Sequence, residues 1–297
     1  MKDKAFPVYG YSRLRNIREK GMSLLFLLCA LVSILAVGLI CLFLFANGLP
    51  AMFKIGVFQF LGGREWSPSD TPPVFGIFPM ILGSIYITAG AIIIGVPIGI
   101  LTSVFMAKFC PPLLYKVLKP AVDLLAGIPS VVYGFFGVAA IVPVIRRLYG
   151  GNGASILAAS ILLGIMVLPT IIGISESAIK AVPESYYEGA RALGATHTRG
   201  VFFAVLPAAK SGILAAVVLG IGRAIGETMA VIMVAGNQAR MPVSLFKGAR
   251  TLTANIVIEM GYAADLHREA LIATGVVLFV FILLINLSFA AIKRRSN

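Results

Sequence analysis

Residues 211–235 read SGILAAVVLGIGRAIGETMAVIMVA, an apolar run long enough to cross a bilayer, with Arg223 and Glu227 near its middle. A membrane helix needs about 20 residues. An ionisable side chain at the bilayer centre costs roughly 2.5 to 3.5 kcal/mol, so such residues face a partner, a cavity or a transport path. On a continuous helix, four residues advance about 6 Å along the axis and return to the same face. The spacing therefore predicts a facing pair, which either fixes helix packing or lines a path.

Working outward, five further runs reach spanning length, at 22–46, 78–107, 121–145, 154–175 and 269–292. The chain is 59% hydrophobic and 12% charged, where a soluble domain carries about 25% charge. The expected fold is all-α, a polytopic membrane protein of six transmembrane helices. It divides into a basic tail (1–21), a first span (22–46), an outer connection (47–77), a core (78–292) and a short tail (293–297). Within the core, residues 176–210 form an inner loop. Gly127, Pro129, Gly134 and Gly137 interrupt the third span, and Asp123 lies near its start.

A formal charge of +13 raises nucleic acid as a partner, but the basic residues fall around the spans rather than in one patch, which excludes that class. Lys2, Lys4, Arg13, Arg15, Arg18, Lys20, Lys108, Lys116, Lys119, Lys180, Arg191, Arg199, Lys210, Lys293, Arg294 and Arg295 fall on one side. The other side receives about half as many, namely Lys54, Arg64, Arg146, Arg147, Arg240, Lys247, Arg250 and Arg268. The positive-inside rule puts both termini in the cytoplasm. The first run is too long for the apolar core of a cleavable signal and reads as a span. Cys29, Cys41 and Cys110 build no disulfide framework, since Cys29 and Cys41 lie about 18 Å apart along one helix. His197 and His267 belong to no cluster with metal-ligand spacing. A GxxxxGK[ST] phosphate loop is missing, so ATP is not bound here by that route.

The outer connection carries the only tryptophan, Trp66, in GGREWSPSDTPPVFG, an ordered turn-rich loop. Trp66 reads as an interfacial anchor or as part of a binding surface. Thr253, Asn255 and Glu259 precede the last span and read as a solvated loop or as polar lining of an entrance. Pro79, Pro97, Pro129, Pro143 and Pro169 predict kinks. Gly95/Gly99 and Gly222/Gly226 have the spacing that lets another helix approach.

The inner loop, ESAIKAVPESYYEGARALGATHTRGVFFAVLPAAK from 176 to 210, is far longer than the 2 to 8 residues usual between paired helices. Pro183 opens a helix, Gly194 ends it, and a second short helix precedes Pro207, giving a rigid knob on the inner face. Glu188-Gly189-Ala190, three residues, Gly194, nine residues and Ala204-Val205-Leu206-Pro207 resemble the E-A-A-x3-G-x9-I-x-L-P loop of binding-protein-dependent ABC importer permeases. Gly189 and Ala204 depart from that pattern. FGIFPMILGS (75–84), LAGIPSVVYGFFG (125–137), GRAIGETMAV (222–231) and MPVSLFKGARTLTANIVIEMGYA (241–263) are similar to permeases of the phosphate-specific branch.

The resemblance implies a type I importer permease of a bacterial or archaeal cytoplasmic membrane, itself without catalysis or cofactor. It implies a second, homologous permease chain, an ATPase dimer where ATP and Mg act, and an outer phosphate-binding protein. Glu188, Gly189, Ala190, Gly194, Leu206 and Pro207 would then seat a coupling helix in the ATPase. Arg223 would meet inorganic phosphate, whose oxygens a guanidinium fork matches. Glu227 would accept the P–OH hydrogen that sulfate lacks, or neutralise Arg223 between transport events. Rival readings are a sulfate or molybdate permease, an ion-coupled secondary transporter using intramembrane acids, and a membrane anchor or assembly subunit.

Overall fold

The structure, a computed structural model, describes residues 12–296. The chain through Asn47 forms one unit and the chain from Gly48 a second. The first unit is most of helix α1 (Ser12–Ile55). Leu24, Phe26, Val32, Ile34, Leu42 and Phe43 lie exposed around it, as on a helix whose surroundings are lipid. The first eleven residues of the expected basic tail fall outside the described residues.

In the second unit α1 runs to Ile55, past the expected end at 46, because Ala51 and Met52 are buried and a Cβ on Gly48 would collide with Val276. Next come α2 (Val57–Gly62) and a small antiparallel pair, β1 (Trp66–Ser67) and β2 (Val74–Phe75), in which Trp66 stands opposite Phe75. Helix α3 (Phe78–Val104) continues through a π turn at Phe105–Phe109 and stops before Pro111 and Pro112. Helix α4 (Pro112–Gly127) ends where Ile128 and Pro129 take extended backbone. Helix α5 (Ser130–Phe136) passes by a π turn, Gly137–Ile141, into α6 (Val142–Tyr149). The third span is therefore Ser130–Tyr149 and not 121–145. The residue before a proline is pushed out of the helical region, so the Gly127-Ile128-Pro129 run divides two helices rather than kinking one. Asp123 stays on α4, paired with Lys119.

Helix α7 (Ile156–Lys180) is capped by Ser155, whose hydroxyl accepts the Ala158 N–H. It is the most buried of the six stretches able to span a membrane among the described residues, the others being Arg18–Ile55, Phe78–Phe109, Ser130–Tyr149, His197–Gly226 and Asp265–Phe289. Helix α3 lies along it through a glycine seam. A Cβ on Gly90 would meet Ser160, one on Gly95 would meet Val167 and the Gly164 carbonyl, and one on Gly99 would meet Ile171.

Two expectations for the inner loop change. Helix α7 extends to Lys180, so Glu176 is not a loop residue; it is buried, accepting hydrogen bonds from Tyr115 and Lys180 at 2.6 Å each. Lys119 lies 3.7 Å away, and these contacts tie α4 to α7. Burial presses the Lys119 pKa down, but its hydrogen bond to Asp123 and the charge of Glu176 outweigh that and raise it, so the tether stays ionised at neutral pH. After α8 (Glu184–Ala192), the expected second helix is not free-standing. Helix α9 (His197–Gly200), a π turn (Val201–Val205) and α10 (Leu206–Gly226) form one continuous stretch. Pro207 has no N–H, and the wider turn, closed by the Leu206 N–H on the Val201 carbonyl, absorbs that defect. The π turn before Pro143 does the same.

Helices α11 (Met229–Val234), α12 (Leu252–Glu259) and α13 (Asp265–Ser296) complete the chain. Neither Trp66 nor Glu259 is solvated, as a loop reading required. Both are buried, and the indole N–H donates to Glu259 Oε2 at 2.8 Å. His267 Nε2 meets the same oxygen at 2.8 Å, and Arg250 donates to the other carboxylate oxygen and to Asn255 Oδ1. The β1–β2 hairpin, α12 and the start of α13 are thus fastened through one carboxylate.

Candidate functional site

Helix α10 ends at Gly226, and Glu227 has extended backbone (φ −69°, ψ 130°), so Arg223 and Glu227 do not share a helix face. The break has local causes. Gly222 and Gly226 each weaken a helix by about 1 kcal/mol relative to alanine, and Thr228 donates its hydroxyl hydrogen to the Gly226 carbonyl. Glu227 Oε1 accepts the N–H groups of Thr228 and Ala230 at 3.2 Å each, serving the otherwise unpaired start of α11. The Thr253 hydroxyl donates to the Glu227 carbonyl at 3.2 Å and accepts from Thr251, which also caps α12. Broken backbone at membrane depth persists only where such partners are supplied or a water-filled space adjoins.

Arg223 makes no ion pair with Glu227 among the described residues; its Nη1 donates to Thr170 Oγ1 on α7 at 3.2 Å. The guanidinium is otherwise exposed, and Cβ atoms built on Gly222 and Gly226 meet nothing within 4 Å. Gly95/Gly99 therefore serve packing within the chain, whereas Gly222/Gly226 leave an open face beside Arg223. That face offers a permanently charged donor fork, a hydroxyl and a carboxylate with one oxygen already engaged.

At the inner end, α8 has no buried residue, and Glu188 and Gly189 stand exposed on it. Gly194 (φ +84°) closes it: its N–H donates to the Arg191 carbonyl and that of Ala195 to the Ala190 carbonyl, the paired bonds of a Schellman ending. In Gly194→Ala, the left-handed backbone costs about 1–2 kcal/mol. The expected result is earlier proteolytic cleavage at this turn with unchanged helicity, which limited proteolysis followed by mass spectrometry measures. Leu206 and Pro207 lie apart from this group, at the first turn of α10. Between the two groups, Ala190, Leu193, Ala195, Arg199, Phe203 and Ala204 line a shallow cavity of about 390 Å³. Leu193 and Phe203 are 91% and 79% exposed, a large apolar presentation for an inner loop.

A family model described as the inner membrane component of binding-protein-dependent transport systems matches residues 95–297. The chain belongs to that family. The probable ABC transporter permease protein YqgH of Bacillus subtilis is 41% identical over 281 residues, covering 92% of this chain and 91% of the relative. The phosphate transport system permease protein PstC of Mesorhizobium japonicum is 35% identical over 277 residues, covering 86% and 84%. A probable PstC of Methanocaldococcus jannaschii is 34% identical over 269 residues, covering 82% and 84%. Among solved structures, the bacterial alginate ABC transporter in complex with its pentasaccharide-bound periplasmic protein superposes with TM-score 0.64 at 17% identity, over 95% of this chain and 97% of that one. The inward-facing MetNI methionine transporter gives 0.56 at 21%, over 75% and 94%. These two likenesses support the permease fold.

In this binding-protein-dependent permease, sequence reasoning missed Thr170, the partner of Arg223, and His197, set aside for want of metal-ligand spacing. Nothing local marks Thr170. For His197 a signal existed: it lies one residue past the Thr196 cap, inside the loop already singled out.

Proposed function

We propose that the chain is the membrane-spanning permease subunit of an ATP-driven importer whose cargo is inorganic phosphate. The observation that carries this is identity over nearly the whole chain to phosphate transport permeases, 35% over 277 residues in the relative from Mesorhizobium japonicum. Both termini face the cytoplasm. A separate ATPase dimer binding ATP and Mg takes up α8, a second permease completes the path, and an outer binding protein delivers phosphate. The exposed apolar rim of α8 supports an ATPase contact, since a rigid lever converts hydrolysis into helix movement. Arg223 meets the ion with Thr170 beside it, and the free oxygen of Glu227 accepts the P–OH hydrogen.

The experiment is uptake of labelled phosphate into vesicles holding the full complex, with and without ATP inside. Uptake that requires ATP is expected; ATP-independent uptake overturns the reading. With Glu188→Ala, ATPase association, read by co-purification, is expected to weaken about ten-fold or more. Unchanged association removes Glu188 from the joint.

A further inference from the structure

The inner loop is anchored at a second place besides its continuation into α10. His197 opens α9, and its Nδ1 lies 2.7 Å from the Tyr187 hydroxyl on α8. Its Nε2 lies 3.1 Å from the carbonyl oxygen of Lys108, in the π turn that ends α3. A carbonyl only accepts, so Nε2 carries a proton and, in the neutral ring, Nδ1 accepts from the Tyr187 hydroxyl. The ring also packs edge-on against Phe109, centroids 4.8 Å apart, and against Tyr187 at 5.5 Å. Lys108 Nζ reaches Glu184 at 3.3 Å, and Gly200 lets Tyr187 pack against the start of α10's stretch, where a Cβ would stand 3.2 Å from its ring.

Helices α3 and α10 flank α7, α3 through Gly95 and Gly99, α10 through Gly212 against Ala178 and Gly220 against Ile171. We propose that His197 is a positioning residue, the pin through which movement of α8 reaches α3 as well as α10. The inference rests on the importer reading, because only a driven α8 has movement to pass on. Without the pin, α10 moves alone, Arg223 shifts against Thr170, and the α3 side of the α7 seam stays behind. With it, both flanks of α7 move together.

Cys110, half-buried and directly after the π turn of α3, is a native reporter of that end. The test uses the full complex in vesicles, with His197→Phe, which keeps the ring but removes both hydrogen bonds, and Tyr187→Phe, which removes the α8 bond alone. In both, the ATPase is expected to remain bound and to hydrolyse ATP, while phosphate moved per ATP falls at least about five-fold. Maleimide labelling of Cys110, mapped by mass spectrometry, is expected to depend on nucleotide in the parent and not in the variants. His197→Gln, whose amide N–H reaches a carbonyl, is expected to recover part of the ratio. A parental phosphate-to-ATP ratio in both variants overturns the pin, as does nucleotide-dependent Cys110 labelling that persists in them. A parent complex without ATP-dependent uptake overturns instead the importer reading beneath it. Should His197→Phe fail to assemble, Tyr187→Phe decides.

Discussion

In a complex carrying Arg223→Ala, phosphate uptake is expected to fall about a hundred-fold while the ATPase stays bound and hydrolyses ATP. Charge-assisted hydrogen bonds contribute about 1.5–3 kcal/mol each, and a guanidinium offers two in parallel to a phosphate. A tenfold change corresponds to about 1.4 kcal/mol, so losing both bonds removes two decades or more. Arg223→Lys keeps the charge but not the fork and is expected to fall between parent and alanine. The surroundings make the loss specific: Arg223 is bonded only to Thr170 within the described residues, and the open face at Gly222 and Gly226 gives no other cation. Glu227→Gln keeps the oxygen that serves Thr228 and Ala230 while replacing the acceptor for P–OH. It is expected to narrow the preference for phosphate over sulfate in competitive uptake. Parental uptake in Arg223→Ala would take the residue off the path.

The largest effect on stability is expected at Glu259→Ala. Its carboxylate is 6% exposed and holds Arg250, His267 and the Trp66 indole together. Removing one partner of a buried pair leaves an uncompensated charge, at a cost of about 3–5 kcal/mol. A lower midpoint of thermal unfolding in detergent is the measurement, with loss of Trp66 burial followed by its fluorescence. The double variant Arg250→Met with Glu259→Leu removes both charges and is expected to recover much of the midpoint. A midpoint unchanged in Glu259→Ala would mean the carboxylate holds nothing.

Hydropathy made the six spans legible, because twenty apolar residues in succession have few alternatives to a membrane helix. The places where it misled share one cause: composition does not reveal where backbone bonds end. Residues 211–235 stay apolar straight across the Gly226 break, and 121–145 straight across Ile128 and Pro129. The helix-ending role of Gly194 was legible because a left-handed residue after a helix is a local requirement, met by glycine. The Trp66–Glu259 bond joins residues 193 apart in sequence, and the His197 contact to Lys108 joins residues 89 apart. Such pairings leave no trace in local pattern, so a histidine without metal spacing and a tryptophan in a polar loop looked idle. Arg223 was found by the cost of its charge, but its partner was misassigned, since sequence proximity suggested Glu227 where the folded chain supplies Thr170.

The π turn at Val201–Val205 has a bearing on how this chain tolerates insertions and deletions. It holds one residue more than a plain α-helical turn would, and each residue in a helix is worth about 100° of rotation. Deleting a single residue there would restore regular winding, leave the loop around Gly194 in place, and swing everything downstream through that angle. Arg223 would then point about a quarter-turn or more away from Thr170. The fixed count of residues between Gly194 and Pro207 is thus an azimuthal setting, a distance along the sequence that becomes a bearing inside the membrane.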